Sequence, residues 1–463
     1  MVTLISLNFA WEWCFGSVLM VFGVKNYCVL RVFYVEMGEY LVDSGRGFVV
    51  SGPSRVSVLE GELFVWGAPV KVGDVVDVVE GRSIGVSGVG RFSVEGDCEV
   101  VEVDYRELIP ESWDKFIEII LEDERRPLKI MVLGDSSVGK STFVTYATNR
   151  LCLEGLKVGV VDCDVGQSDI GPPTCVGVAF IDKPRPLFTQ FYDDAFFVGS
   201  TSPMGLISRV VCGVRLMAER AEKEGCDVIL VNTSGWVRGW GARELKTCVF
   251  FMVKPHYIAA IQYRNEIEHL LKIFKGFNVK IHVVDAPSRA CERTSSQRKT
   301  FRELAYKKYL ENGQLIKLAL DKLSVLYGIS LSGKKADRQV YKIVSSRLKS
   351  NVKYCEVSTD ALFVLLKDAE RFEQQDIRDL KSTVKPLELY VTNEETIKDV
   401  IVGLFDEDGR FLGIGVLEDL DYDKREITIY TRVDAKKIAG IAFGYLKVDR
   451  EGREQGSIRP WTI

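Results

Sequence analysis

Residues 128–142 read LKIMVLGDSSVGKST, an apolar run that stops at Gly134 and passes into glycines, hydroxyls and one lysine spaced as G-x-x-x-x-G-K-[ST]. The stretch after it, FVTYATNRLCLEG, carries helical spacing. A strand that feeds a glycine-rich turn and then a helix is half of a βαβ unit, and it constrains the fold more than any other part of the chain. The glycines let the backbone turn tightly so that amide N–H groups converge on an anion, and the helix presents its positive end to the same point. Phosphate is the anion that such a loop holds. Gly134, Asp135, Ser136, Ser137, Val138, Gly139, Lys140, Ser141 and Thr142 are therefore the candidate nucleotide-binding residues. Lys140 would reach the β- and γ-phosphates, and the Ser141 hydroxyl is placed to ligate Mg²⁺.

The segments that follow keep the same grammar. KVGVVDCD, CDVILVNTSG, YIAAIQY and KIHVVD read as strands, and RVVCGVRLMAERAEKEG and RNEIEHLLKIFKG read as helices between them. The expected class is α/β: a central P-loop NTPase domain with a mainly parallel sheet covered on both faces, whose ligands sit at the carboxyl ends of the strands. With 463 residues the chain has room for about three domains. From Gly47 to Tyr105, short segments rich in Val and Phe alternate at period two between Gly and Pro, the pattern of a small antiparallel sandwich or barrel. Past Leu315 the strand–helix rhythm fades, and DVIVGLFDEDGRFLGIGVLEDLDYDKREITIYTRV reads again as strands with tight turns. The expected domains are thus an N-terminal β-rich domain over 37–110, the P-loop domain over 111–314 and a C-terminal β-rich domain over 315–463. Residues 1–36 stand apart. The apolar tract around Trp11, Trp13 and Phe22 is shorter than the ~20 residues of a membrane span, so it is either an extra element of the first domain or lies upstream of a start at Met37.

Lys plus Arg number 61 against 65 Asp plus Glu, so a nucleic acid would have to meet a local basic patch rather than a basic protein. The odd number of scattered cysteines, with no C-x-x-C pair and only three histidines, argues against a disulfide framework or a zinc site and for a reducing compartment; a cytoplasmic protein without membrane contact is expected.

The strand after the phosphate loop ends in Asp162-Cys163-Asp164-Val165-Gly166-Gln167. Its carboxylates emerge at the same sheet edge as the loop, where one can hold Mg²⁺ and another can take a proton from an attacking hydroxyl. Gln167 could orient a nucleophile or cap the turn. The Asn-Lys-x-Asp reader of guanine is missing, since no Asn-Lys pair occurs in the chain, which argues against a switch GTPase. Between Arg289 and Lys308 stand seven basic residues against Glu292 and Glu303. That stretch suits a lid whose guanidinium groups meet a transferring phosphoryl group, with Arg298 and Arg302 at i and i+4 on one helix face. Trp236 follows Asn232-Thr233-Ser234-Gly235 at a strand end, beside Arg238 and near Trp240, where an indole and a guanidinium could take the base and phosphate of an acceptor.

In order, GDSSVGKST, DCDVGQSDIGPP, FVGSTSPMG, VNTSGWVRGWG and SRACERTSSQRKTFRELAYKK resemble the polynucleotide 5′-hydroxyl kinase family, which includes the kinase subunit of the pre-mRNA cleavage complex, ribosomal-RNA-processing kinases and archaeal relatives. The likeness spans roughly residues 47–313. It implies transfer of the ATP γ-phosphate to the 5′-hydroxyl of single-stranded or duplex RNA or DNA, with Mg²⁺, and possible protein partners in RNA processing. On this resemblance Lys140, Asp162, Asp164, Arg298 and Arg302 are catalytic, with Asp164 favoured as base and Ser141 and Asp162 as metal partners. Gln167, Thr201, Ser202, Pro203, Trp236, Arg238 and Arg293 would contact substrate. After Pro203 the chain runs Met204-Gly205-Leu206 where some relatives carry an Asn. Two other readings compete: a nucleotide-binding scaffold of an RNA-processing complex without turnover, and a P-loop enzyme acting on a different hydroxyl or amine.

Overall fold

Two long strands that bend give the first unit its form. The computed structural model describes residues 37–188, 191–288, 294–367, 374–386, 388–459 and Ile463, and these fall into two compact units divided after Pro110. The apolar N-terminal tract and Arg293 lie outside the described residues. The first unit comprises β1 (Met37–Val42), β2 (Arg46–Ser51), β3 (Ser54–Val65), β4 (Ala68–Val70), β5 (Val75–Val78), β6 (Ser83–Glu95), β7 (Val100–Asp104) and a short helix α1 (Tyr105–Leu108). Strand β6 pairs with β2 through residues 83–87 and with β1 through residues 90–95; β3 pairs with β5 near its start and with β4 near its end. Each long strand therefore serves two sets of partners. The change of partner on β6 falls at Gly88, where φ is +117° and a Cβ would stand 2.2 Å from the Glu62 carbonyl oxygen, so only glycine permits the bend. Alternate residues Val56, Val58, Ile84, Val86, Phe92 and Val94 fill the interior.

The second unit opens with α2 (Glu111–Glu122), β8 (Leu128–Leu133), α3 (Lys140–Leu153), β9 (Val158–Asp162), β10 (Cys175–Ile181), β11 (Asp194–Phe197), α4 (Ile207–Lys223), β12 (Val228–Asn232), α5 (Trp240–Val253), β13 (Tyr257–Gln262), α6 (Glu268–Phe274), β14 (Lys280–Asp285) and α7 (Ser295–Leu310). Its strands form one sheet in the order β11-β10-β9-β12-β8-β13-β14. The strands from β9 to β14 in that order are parallel, as the alternation of strands and helices requires. The β10–β11 hairpin instead adds to the edge of β9 antiparallel. No helix intervenes between Asp162 and Cys175, and a strand that returns without a crossover helix pairs antiparallel. Helix α5 went unread in the sequence because Trp240, Phe250, Phe251 and Met252 blur its polar face.

The remainder comprises β15 (Gln314–Ala319), β16 (Ser324–Leu326), β17 (Lys334–Lys335), α8 (Arg338–Leu348), β18 (Val352–Val357), β19 (Ala361–Leu366), α9 (Gln374–Val384), β20 (Glu388–Asn393), α10 (Glu394–Ile397), β21 (Val400–Phe405), β22 (Phe411–Asp421), β23 (Glu426–Thr431), β24 (Gly440–Val448) and β25 (Glu454–Ser457). One sheet runs β15-β23-β22-β21-β24-β16, with β25 added on β24. Between β16 and β21 the chain makes a separate four-stranded sheet, β17-β18-β19-β20, so this region is not uniformly β. Val344, Leu348 and Leu380 of its helices pack on Leu362, Val364 and Leu366, and β19, buried along its whole length, gives no alternation to read. A further cluster joins this region to the nucleotide-binding sheet: Cys175 and Phe197 pack with Tyr306 and Leu310 of α7 and with Ile401, Val416 and Ala442. Among the described residues no helix is long and apolar enough to cross a membrane.

Candidate active site

The phosphate loop leaves the buried end of β8, between β12 and β13 in the sheet. Gly139 caps α3 with φ +88°, and a Cβ there would press on Pro287, so the turn into the helix depends on glycine. Lys140 is buried, and its Nζ donates to the Asp135 carbonyl at 2.6 Å, which holds the ammonium across the mouth of the loop. Burial pushes its pKa down to about 8, against the opposing pull of Asp164, Asp135 and Asp162.

The two carboxylates differ sharply in their surroundings. Asp162 is buried and hydrogen-bonded through both oxygens: Oδ1 accepts from the Asp164 amide (3.2 Å) and Asn232 Nδ2 (3.3 Å), and Oδ2 from the Asp169 amide (2.7 Å) and the Ser168 hydroxyl (3.3 Å). Burial, followed by the Asp169 and Asp164 carboxylates, raises its pKa. Asp164 is half-buried; its Oδ1 accepts from the amides of Gly166 (3.2 Å) and Gln167 (3.1 Å), and Oδ2 accepts no hydrogen bond from the described residues.

Asn232, the last residue of β12, stands in register with Asp162 on the neighbouring strand. Its Nδ2 donates to both Ser141 Oγ and Asp162 Oδ1, at 3.3 Å each, while its buried Oδ1 has no hydrogen-bond partner among the described residues. As placed, the amide nitrogen faces the Ser141 hydroxyl and the Asp162 carboxylate; turned over, the amide would bring its orphaned oxygen to them and complete a hard oxygen donor set of the kind that suits Mg²⁺. Sequence reasoning passed over Asn232, although a polar residue closing a buried strand is the same signal that marked Asp162.

Lys246 was also missed. It occupies an apolar-spaced position of α5 between Leu245 and Val249, is only 1% exposed, and donates from Nζ to the Ser234 carbonyl at 2.6 Å. Burial first, and Lys140 second, pushes its pKa down to about 7. It pins the segment that follows Asn232.

The arginines on α7 separate. Arg298 approaches the loop, its Nη2 lying 3.5 Å from Ser137 Oγ, and its carbonyl accepts from Gln167 Nε2 at 3.3 Å. The Gln167 amide thus ties the carboxylate turn to the lid helix. Arg302 does not share the phosphate end with Arg298. Its guanidinium makes two bonds to Glu454, at 2.5 and 2.8 Å, in a pair whose side chains are 17% and 10% exposed. Four residues are about 6 Å of helix rise, enough to carry Arg302 from the loop to β25. Thr294 and Gln297 close the start of α7 with a reciprocal capping box.

The 199–203 segment meets the carboxylate turn directly, since a Cβ on Gly166 would fall 2.6 Å from the Thr201 carbonyl. It is held from behind by Tyr445 of β24, whose amide donates to the Gly199 carbonyl at 2.7 Å. Ser200 Oγ and Ser202 Oγ accept from the amides of Ser202 and Met204, and Pro203 ends the segment. At the far side of the loop Arg238 pairs with Asp135 at 2.7 Å. Trp236 is not the free indole expected at this edge: it is half-buried and lies over Gly241, where a Cβ would come within 2.5 Å of its ring. The exposed indole is Trp240, at 77%.

Residues 134–312 match the family described as mRNA cleavage and polyadenylation factor CLP1 P-loop. A polyribonucleotide 5′-hydroxyl-kinase of Methanocaldococcus jannaschii is 30% identical over 368 residues, covering 78% of this chain and 98% of the relative. One from Thermococcus kodakarensis is 30% identical over 366 residues, covering 77% and 97%. The structure of a wild-type Clp1p–Pcf11p complex superposes with a TM-score of 0.62 over 89% of this chain and 98% of that one, at 10% identity, a likeness of fold.

Proposed function

Because this chain belongs to the family of polyribonucleotide 5′-hydroxyl-kinases with a CLP1-type P-loop, we propose that it transfers the γ-phosphate of ATP to the 5′-hydroxyl end of RNA, with DNA ends as a second acceptor class. The observation that carries this reading is Asp164: a half-exposed carboxylate with one uncommitted oxygen, electrostatically coupled to Lys140 at the phosphate loop. Asp164 takes the proton of the 5′-hydroxyl as that oxygen bonds to the γ-phosphorus and the β–γ bridging P–O bond breaks, leaving ADP. Lys140 and the loop amides hold the β- and γ-phosphates, and Arg298 meets the charge that develops on the transferring group. Ser141, Asp162 and Asn232 would hold Mg²⁺, which supplies charge neutralisation at the phosphates. Thr201, Ser202 and Pro203 bound the acceptor beside the base, with Arg238 and Arg293 assigned to its strand. Gln167 acts through the lid helix, and Arg302 by fixing that helix to β25.

We read residues 37–110, 111–314 and 315–463 as the N-terminal, kinase and C-terminal domains, and the cytoplasm as the site of action. Protein partners in RNA processing fit the complex in which the structural neighbour was solved.

Asp164→Asn tests the proposal, since the amide cannot accept the hydroxyl proton. Transfer should fall ~10²-fold or more, while ATP affinity measured by calorimetry with Mg²⁺ stays at the wild-type value. Lost ATP binding with Mg²⁺ would reverse the roles of Asp162 and Asp164.

A further inference from the structure

Trp240 opens α5 with 77% of its surface in water, at the sheet edge where the phosphate loop also lies. A single exposed apolar side chain needs no explanation, but this one has particular neighbours. Two residues before it, Arg238 is bonded to Asp135 of the loop, so the Cα of Trp240 is within about 7 Å of that of Arg238. Three residues after it on the same helix face, Arg243 borders a concavity of about 590 Å³ between α5 and α6, lined also by Asn265, Glu268, His269, Lys272 and Ile273. The concavity is a shallow, open depression, suited to a ligand that lies along the surface.

The lining is chemically one-sided. Arg243, Lys272 and Asn265 supply donors, Ile273 supplies an apolar wall, and the two cations outnumber the single carboxylate, Glu268, one oxygen of which accepts from Gln262 Nε2 at 3.1 Å. The platform is also braced. His269 Nε2 donates to the Val237 carbonyl at 2.7 Å, and Arg243 Nη1 donates to the His269 carbonyl at 3.3 Å, tying α6, α5 and the 236–240 loop together.

Resting on the kinase reading above, we propose that Trp240 and the adjoining α5–α6 concavity form a second subsite for a single-stranded acceptor, taking the nucleotide that follows the one being phosphorylated. Its base stacks on the Trp240 indole and its phosphate meets Arg243 and Lys272. Stacking accepts any base, and the cationic contact makes binding fall as salt rises.

The test is an acceptor-length series with Trp240→Ala, Trp240→Phe and Arg243→Ala. With a 5′-hydroxyl decaribonucleotide, Trp240→Ala should raise KM about five-fold or more, Trp240→Phe should recover most of that loss, and Arg243→Ala should weaken the salt dependence. The penalty should be larger for the decamer than for a nucleoside 3′-phosphate, and the ATP KM should keep its wild-type value. An unchanged decamer KM in Trp240→Ala, or an ATP KM that rises by the same factor, overturns the subsite. Binding of a fluorescein-labelled decamer, read by anisotropy without ATP, separates the two claims. A wild-type protein that transfers no phosphate to any 5′-hydroxyl defeats the kinase reading. Decamer binding that Trp240→Ala does not weaken defeats the subsite.

Discussion

Lys246 sits where the spacing of α5 calls for a hydrophobe, and its proton is the most exposed to test of any group near the site. In the unfolded chain a lysine keeps its proton to about pH 10.4, whereas in the fold Lys246 loses it near 7. Between those values the unfolded chain binds more protons, so this residue adds stability as pH rises from about 7, and below 7 its burial penalty is present in full. Urea unfolding at pH 7, 8 and 9 should therefore show wild type gaining on Lys246→Met, by roughly 2 kcal/mol at most over that range. A constant difference would mean that Lys246 keeps its proton throughout. The sequence told the two lysines apart unequally. Lys140 was readable because glycines and hydroxyls at fixed offsets surround it. Lys246 looked like any polar residue on a helix, because its partner, the Ser234 carbonyl, is brought to it only by the fold.

Helix α7 shows the same limit one level up. Its charge pattern gave the element and its arginines, but i, i+4 spacing says only that Arg298 and Arg302 share a face. What each meets is decided by two different elements, the phosphate loop for Arg298 and β25 for Arg302. Because the Arg302–Glu454 pair is largely desolvated, removing either partner leaves a buried charge unpaired, at a cost of about 3–5 kcal/mol. Arg302→Ala and Glu454→Ala should each destabilise the protein, and the double variant should lose clearly less than the two single losses combined. Hydrogen exchange in the single variants should quicken in α7 before it does in α3. Additive losses, or exchange that quickens uniformly, would show that the pair does not anchor the lid helix.

Over the whole molecule, the parallel part of the nucleotide-binding sheet was legible because apolar strand runs alternate with segments of helical periodicity, with α5 as the helix that the pattern hid. The N-terminal strands were legible from alternation, though the bend at Gly88 needs the partner carbonyl of Glu62 to explain it. The C-terminal region hid its four-stranded insertion, since the uninterrupted apolar run of β19 fits several elements equally well. Nor could the sequence show that the C-terminal sheet supports the site, through Tyr445 on the Gly199 carbonyl and Glu454 on Arg302. All of this geometry serves one claim, transfer of a phosphoryl group from ATP to a 5′-hydroxyl. The direct measurement is incubation of the full chain with γ-labelled ATP and matched 5′-hydroxyl RNA and DNA oligonucleotides, single- and double-stranded, beside Lys140→Ala of equal melting temperature. Label should appear on the 5′ end of RNA, with Lys140→Ala slower by ~10²-fold or more. No label on any 5′-hydroxyl acceptor from folded protein, or equal rates for the two proteins, would contradict it.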